Sequence, residues 1–591
     1  MAKWPEGLRN KDTRDTLALE ICNELRAGQK ARSSLRDRWQ TNEKMYRNEP
    51  GASGTQIIDG VTPYHIPLTK PKLDRINGVV HHAITGIEPY VEVTAADEDG
   101  VLADLVEQDL TFLLKKAYFS KMLWESLAIA GTTGVGVPRV RYVDGQGFEL
   151  LAVHPNDISI YPATVHRISE AKTAGMRFGK MLSEVKEMQK AAWDKKADVV
   201  GGWDPDEDPA GRNPTFDRVQ TGEEQKPDDQ LVQLWDFYTY RRFKDSDPLR
   251  WWHGTAALDT SQLLEIEAFG ATKKIPPEDE FGTYTTEVMD YSGPCLFAIR
   301  YETEYGKFWP STSLAQHLQG LQQAFSDGFN ICWGGSWSAA FPAIIISGGS
   351  LNAKVLKYRP GDIIENPTQV QAQVIGVQFN PGTIPQMMQL ISQTADSVTR
   401  VSPMGTASQL RSRTTATETG FLAEMQRQAE DQYTACVTMG LKEVFEYCFE
   451  LYKIHFDDIK ATFGPNILLP DASLLEGKHF LIEVNGKATT NAPTALIQKF
   501  QLLLSIAKNM PQLGLDSRKI VQKILSALEL PFNVNTLITA PAVQPGQGGP
   551  EGQPPMEMGA PQNGGAPPDV AGVLSALLGG GNGEAGPGPG M

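Results

Sequence analysis

Residues 311–330, STSLAQHLQGLQQAFSDGFN, give the frame from which the rest of the chain is read. Leu314, Leu318, Leu321, Phe325 and Phe329 recur at steps of three and four, which puts them on one face of a helix. The other face carries Gln316, Gln323, Ser326, Asp327 and Asn330, polar and almost uncharged. The apolar run Ala343–Ile346 and a turn at Tyr358–Asp362 then break the helical period. A second helical stretch follows, with Ile384, Met388, Ile391, Ala395 and Val398 on one side. Val401–Arg413 is a loop of small, hydroxyl-bearing and basic residues. Thr414–His455 runs on without a proline and would be ~60 Å long if wholly helical. Two amphipathic helices around an excursion, then a loop and a long strut, describe a frame rather than a pocket.

Three segments carry a resemblance. Tyr305-Gly306 leads into Leu321-Gln322-Gln323; Arg359-Pro360-Gly361-Asp362-Ile363-Ile364 forms a turn; and Arg413-Thr414-Thr415-Ala416-Thr417-Glu418 opens the long helix. In this order they resemble the portal proteins of tailed bacteriophages, the head-to-tail connectors, in their podophage-like group. The likeness extends less sharply from Ile66 to Leu530 and rests on order and spacing. It implies a mixed α+β, predominantly helical portal fold with wing, stem, clip and crown, assembled as a ring around a central channel. On that reading residues 1–59 are an N-terminal helical segment and 60–310 the first part of the wing. Residues 311–334 are the leading stem helix, 335–382 the clip, 383–400 the returning stem helix and 401–413 the tunnel loop. Residues 414–490 hold the long wing helix and wing strands, 491–535 the crown, and 536–591 a disordered Gly/Pro-rich tail.

Composition agrees with a multi-part folded chain. At 591 residues, 41% hydrophobic and 21% charged, it is too long for one ordinary core. No apolar run reaches the ~20 residues of a membrane helix, and Met1–Gly7 lacks the apolar core of a secretion signal. Five cysteines, Cys22, Cys295, Cys332, Cys436 and Cys448, are an odd number with no C-x-x-C spacing. They read as reduced thiols packed as small hydrophobes in a product made in the cytosol. The net charge of −16 argues against tight gripping of phosphates, which usually takes a basic surface. Acidity either keeps a large protein soluble or lines a wall that repels DNA and lets it slide.

Along the chain, Thr13–Gln40 reads as a solvated amphipathic helix, or else as an outer-rim contact with a neighbouring subunit. Lys72–Thr85 is a helix and Pro89–Thr94 a strand. Asp104–Ala130 is one strong helix, followed by a hairpin of Pro138–Val143 and Phe148–Val153. His154-Pro155-Asn156-Asp157 with Ile158–Pro162 resembles a recurrent portal pattern, which implies the next strand there. Met181–Ala192 is helical, Asp198–Gln230 an exposed insertion, and Leu231–Arg242 and Pro294–Glu302 alternate as strands. Trp251–Tyr291 is small, irregular β structure with no legible strand order. His479–Val484 is a strand, and Pro493–Leu530 two helices split at Met510-Pro511. In the tail, Val570–Leu578 is an apolar island, inert or a docking peptide for an internal or scaffolding partner.

Catalytic patterns fail on spacing. Gly175-Met-Arg-Phe-Gly179-Lys180-Met181 has three residues between its glycines where a phosphate loop has four, and Met181 stands where Ser or Thr would hold magnesium. A helix start beside a surface lysine is the reading preferred. Asp204–Asp208 imitates a calcium loop, but its sixth position is Pro209 and its twelfth Thr215. His81 and His82 point ~100° apart on a helix and do not share an ion. Gly134-Val-Gly136 lacks the rest of a dinucleotide fingerprint, and no G-x-S-x-G occurs. No catalytic residue, metal ligand or cofactor is assigned, and the chain is not read as an enzyme.

What remains is the loop that the resemblance makes a channel-facing tunnel loop. Arg400, Ser402, Met404, Thr406, Ser408, Gln409, Arg411 and Arg413 would touch passing DNA there, without regard to sequence. Alternatively the arginines pair with Glu418 and Glu424 and fasten the loop. On the long helix, Phe421, Met425, Tyr433, Val437, Leu441, Val444, Cys448 and Leu451 form a stripe for the core of one subunit, leaving the other face for a neighbour. The resemblance implies a ring, commonly a dodecamer, at one capsid vertex of the virion, assembled in the host cytoplasm. Its partners would be the terminase large subunit, major capsid and scaffolding proteins, tail adaptors and double-stranded DNA, with no membrane. Another ring-forming head–tail component is an alternative, as is a DNA-packaging enzyme, which would need the phosphate loop or carboxylate site not found.

Overall fold

The computed structural model describes residues 4–8, 10–49, 63–86, 88–95, 100–191, 230–243, 248–275, 285–302, 308–309, 312–340, 343–347, 363–365, 371–375, 383–399, 416–475 and 477–484, with single positions at 193, 194, 197 and 199. Met1–Val534 forms one compact unit, Asn535–Met591 another, and all described residues lie in the first. The chain is mixed α and β, with helix the larger share of the described residues. None of its described helices is long and apolar enough to cross a membrane.

The N-terminal stretch makes two helices, α1 (Lys11–Ala31) and α2 (Ser33–Arg47), separated at Arg32. Asn10 caps α1 by accepting from the Asp12 N–H at 3.1 Å. The region is amphipathic as expected, in two helices rather than one. Leu17, Ile21 and Leu25 of α1 are buried against Trp235, Phe237, Trp252 and Ile266, while Asp15, Thr16, Glu20 and Asn23 on the other side are exposed. Gly28 is the point of closest approach, where a Cβ would meet Ser159 Oγ at 2.3 Å; the same hydroxyl donates to the Leu25 carbonyl at 2.6 Å.

Next come α3 (Thr69–Thr85) and β1 (Val91–Ala95), close to their expected bounds. The single helix expected over 104–130 is two, α4 (Gly100–Lys116) and α5 (Phe119–Thr133). They are broken at Tyr118, which takes a left-handed φ of 55°. No glycine or proline marks this break. β2 (Val135–Val143) and β3 (Gly147–Val153) form the expected hairpin, and β4 (Ile158–Tyr161) follows a short turn at Pro155–Asp157. Gly175–Met181, expected to open a helix, belongs instead to β5 (Thr173–Met181), and α6 (Leu182–Ala191) begins after it. Gly175 there lies against Leu25 and Trp235, a packing role. The acidic positions Asp204–Asp208 lie outside the described residues.

The region without a legible order resolves into regular hairpins. β6 (Leu231–Arg241), β7 (Arg250–Ala257) and β8 (Gln262–Ala268) join β4 and β5 in an antiparallel sheet ordered β4-β5-β6-β7-β8. β9 (Gly270–Ile275) pairs with β10 (Thr285–Asp290). β6 does not alternate between buried and exposed: nine of its first nine residues are buried. One face packs on α1, and the other on Val185 of α6 and, through Tyr238, on the main core. Pro294–Glu302 gives only the short β11 (Ile299–Arg300), paired with β2.

α7 (Leu314–Ala340) outruns its expected end by six residues, and β12 (Ala343–Ser347) follows it. β12 pairs parallel with β13 (Ile363–Glu365) and antiparallel with β14 (Gln371–Ile375). α8 (Thr383–Thr399) packs alongside α7. α9 (Ala416–Ile454) is an unbroken helix of 39 residues, bending at His455 into α10 (Phe456–Phe463). β15 (Phe480–Val484) pairs with β1, some 390 positions earlier in the chain.

The main core therefore draws on both ends of the sequence. Val437, Leu441, Val444, Phe445 and Tyr452 of α9 are buried with Leu110, Phe119, Leu127, Val137 and Ile299. Buried Asp109 of α4 ties this core together by accepting from Tyr452 Oη at 2.7 Å and from the N–H groups of Leu468 and Leu469 at 2.7 and 3.0 Å. Three charge-assisted bonds offset the cost of holding a carboxylate away from water.

Candidate functional site

The α7–α8 pair joins the main core at Leu314 and Ala315 and forms a small cluster of its own further along. α7 spans ~40 Å at 1.5 Å per residue, and its 27 residues include one carboxylate, Asp327, and no lysine or arginine. α8 carries a single charge, Asp396, which pairs with Lys72 of α3. Burial pulls the Lys72 ammonium below its ordinary pKa, with Arg75 adding to the effect. Leu68, Leu318 and Ala395 are buried between the helices, with Leu321, Phe325 and Ile391 half-buried around them. These are the positions that the sequence period assigned to inner faces.

Part of the polar side of α7 is taken up by contacts within the chain. Gln322, Ser326 and Asn330 are buried and bond to the backbone of the segment that leads into α3. Gln322 Oε1 accepts from the N–H groups of Leu68 and Thr69 at 2.7 and 2.9 Å, and its Nε2 donates to the Ile66 carbonyl. Ser326 Oγ accepts from the Ile66 N–H at 3.3 Å. Asn330 accepts from the Tyr64 N–H at 2.8 Å and donates to the Tyr64 carbonyl at 3.0 Å. The spacing explains the zipper. Four helical residues climb ~6 Å, and two residues of an extended chain climb ~6.6 Å, so the two backbones stay in step. Gln322 also supplies the acceptor that the first turn of α3 needs, since Leu68 offers no side-chain cap. The i, i+4, i+8 run of Gln, Ser and Asn was the signal for this contact, and sequence reasoning passed over it.

Beyond the zipper the pair exposes large apolar side chains. Ile331, Trp333 and Trp337 of α7 and Met387 and Leu390 of α8 are between 43% and 62% accessible. Trp333 and Trp337 stand 6.2 Å apart, and Tyr64 meets the rings of Phe329 and Trp333 edge-on at 5.7 Å. A nearly uncharged helix pair with partly exposed tryptophans has the composition of an interface core, where aromatic residues are enriched and charge is depleted.

The eight loop positions Arg400, Ser402, Met404, Thr406, Ser408, Gln409, Arg411 and Arg413 lie outside the described residues, as do the side chains of Glu418 and Glu424. So do the segments 491–535 and 536–591. On α9, Tyr433, Val437, Leu441, Val444, Cys448 and Leu451 are buried as the stripe predicts, while the side chains of Phe421 and Met425 are outside the description. The opposite side of α9 is acidic. Glu443, Glu446 and Glu450 line a cleft of 170 Å³ together with Arg167 and Ser292. Arg167 reaches Glu443 at 3.1 Å, and burial raises the Glu443 pKa against that attraction.

Elsewhere, His81 bonds Ser120 at 3.0 Å and sits edge-on to Trp124. Arg139 and Asp236 are buried and His253 half-buried, and Asp236 accepts from both neighbours across β2, β6 and β7. No protein-family model matches the chain, and no curated protein matches it.

Proposed function

We propose that this chain is the portal subunit of a tailed bacteriophage. The observation that carries the reading is α7 and α8, packed side by side around the β12–β13–β14 excursion and followed by the 39-residue α9. The joint core of α9 and β15 with the first three hundred residues supports a wing built from two separated segments. In this reading α7 and α8 are the stem and the small sheet is the clip. Copies stand head to tail around an axis, a heterologous contact that closes when the rotation divides the circle. The apolar, uncharged faces of the helix pair meet the next copy, and twelve subunits would make the ring.

The work of such a ring is passive. It occupies one capsid vertex, contacts the major capsid and scaffolding proteins, and presents the clip to the terminase large subunit. ATP hydrolysis belongs to that motor. DNA passes the acidic chain without sequence-specific grip, touches the loop at 401–413, and is retained until tail adaptors take the motor's place.

Light scattering on the purified chain tests the reading. A discrete particle of many subunits is expected, and the double variant Trp333→Ser/Trp337→Ser should shift it toward single chains with the circular dichroism unchanged. Single chains at every concentration and salt would remove the proposal.

A further inference from the structure

We propose that Asp144, His455 and Asp458 form a binding site for a divalent first-row transition cation, fastening the β2–β3 turn to the corner between α9 and α10. One ligand atom from each side chain lies within 4.8 Å of the other two. An ion bound ~2.0–2.2 Å from an imidazole nitrogen and two carboxylate oxygens asks only for small rotations of Asp144 and Asp458, both exposed.

The fold delivers the three groups from positions about 310 residues apart. Asp144 opens the loop 144–146, which the Val143 and Gly147 pair closes. Gly147 has a φ of +87°, and a Cβ there would come within 3.0 Å of the Phe463 ring. Only glycine lets the turn rest directly on α10. His455 is the N-cap residue at the bend where α9 gives way to α10, and Asp458 sits three residues on, facing the same side.

A second observation concerns the imidazole itself. His455 Nε2 lies 2.6 Å from the Tyr291 hydroxyl, and the ring stacks on Tyr142 at 3.8 Å and 17°. With the proton on Nε2 donated to Tyr291, Nδ1 is the nitrogen presented to an ion. This is the arrangement of outer partners that orients metal-binding histidines. The Tyr142 hydroxyl is buried with no hydrogen-bond partner among the described residues, and water carried on an ion would satisfy it. One nitrogen and two oxygens, with open positions for water, suit Zn²⁺, Co²⁺ or Mn²⁺ better than Mg²⁺ or Ca²⁺, which prefer oxygen alone.

The test is calorimetric titration of Zn²⁺ into the full chain, alongside melting curves. One saturable Zn²⁺ per chain is expected, with a raised melting temperature that the same concentration of Mg²⁺ does not reproduce. Asp144→Asn and Asp458→Asn should each weaken binding at least tenfold and abolish the melting shift. Both are exposed substitutions that spare the packed ring of His455, so folding is not at issue. Absence of saturable binding in the wild type, or wild-type binding in both variants, overturns the site. Neither result bears on whether the chain forms rings.

Discussion

Gln322 shows how much one side chain can carry in this fold. Gln322→Leu keeps the bulk but leaves the N–H groups of Leu68 and Thr69 without the amide they bond. A buried orphan costs ~1–3 kcal/mol, so the variant should lose about 2–4 kcal/mol, read from the denaturant midpoint. Gln323→Ala, one position along, removes an i, i+4 pair with Asp327 and should cost less, about 0.5 kcal/mol for such a pair. The Asp236–His253 pair makes a second residue-level prediction. Burial opposes the charge on His253, but Asp236 and Glu267 outweigh it and raise the pKa to about 10. Burial also opposes the charge on Asp236, which His253 and Arg139 nevertheless hold below the usual carboxylate range. A raised histidine stabilises fully below its ordinary value of 6.5, and that contribution is lost as pH climbs through about 10. Melting temperature should therefore fall between pH 6.5 and 10, less steeply in His253→Gln; equal slopes would contradict the pairing. The Gln322 zipper left a trace in its i, i+4, i+8 run of Gln, Ser and Asn, but the Asp236 network was not legible in the sequence. Partners such as Arg139 and His253 are 114 positions apart, and nothing local announces them.

At the scale of elements, periodicity served well wherever one face was buried and one was not. α8 matches its expected range within a residue, and the inner positions of α7 and α8 are those that the three- and four-residue steps selected. Periodicity is silent on breaks that cost little. α4 and α5 both read as apolar helix, so their joint at Tyr118 depends on a left-handed residue that the pattern does not encode. Tyr118 is 75% exposed, so Tyr118→Gly gives up little packing and relieves a conformation costing ~1–2 kcal/mol. Set against the added freedom of glycine in the unfolded chain, a net gain of about 0.5–1 kcal/mol is expected in thermal unfolding. A loss would mean that the tyrosine ring itself holds the joint. Alternation had a different limit in β6, where cover on both faces erased the pattern, and the strands that bury the apolar side of α1 come two hundred residues later.

For the whole molecule, the sequence resemblance and the fold bear on different parts of one account. The helix pair, the small sheet between its members and the long strut were all readable as an order of elements, and that order appears in the structure. The surfaces that would join one copy to the next were not readable, because periodicity does not say which apolar side chains, such as Trp333, Trp337, Met387 and Leu390, stay partly exposed. Their partial exposure on a pair of helices with so little charge is the observation that the proposed contact between copies rests on. Electron micrographs of the purified full-length chain test this most directly. The account predicts annular particles with rotational symmetry and a central opening wide enough for a DNA duplex. Compact particles of single-chain size, with no annular views under any condition, would contradict it.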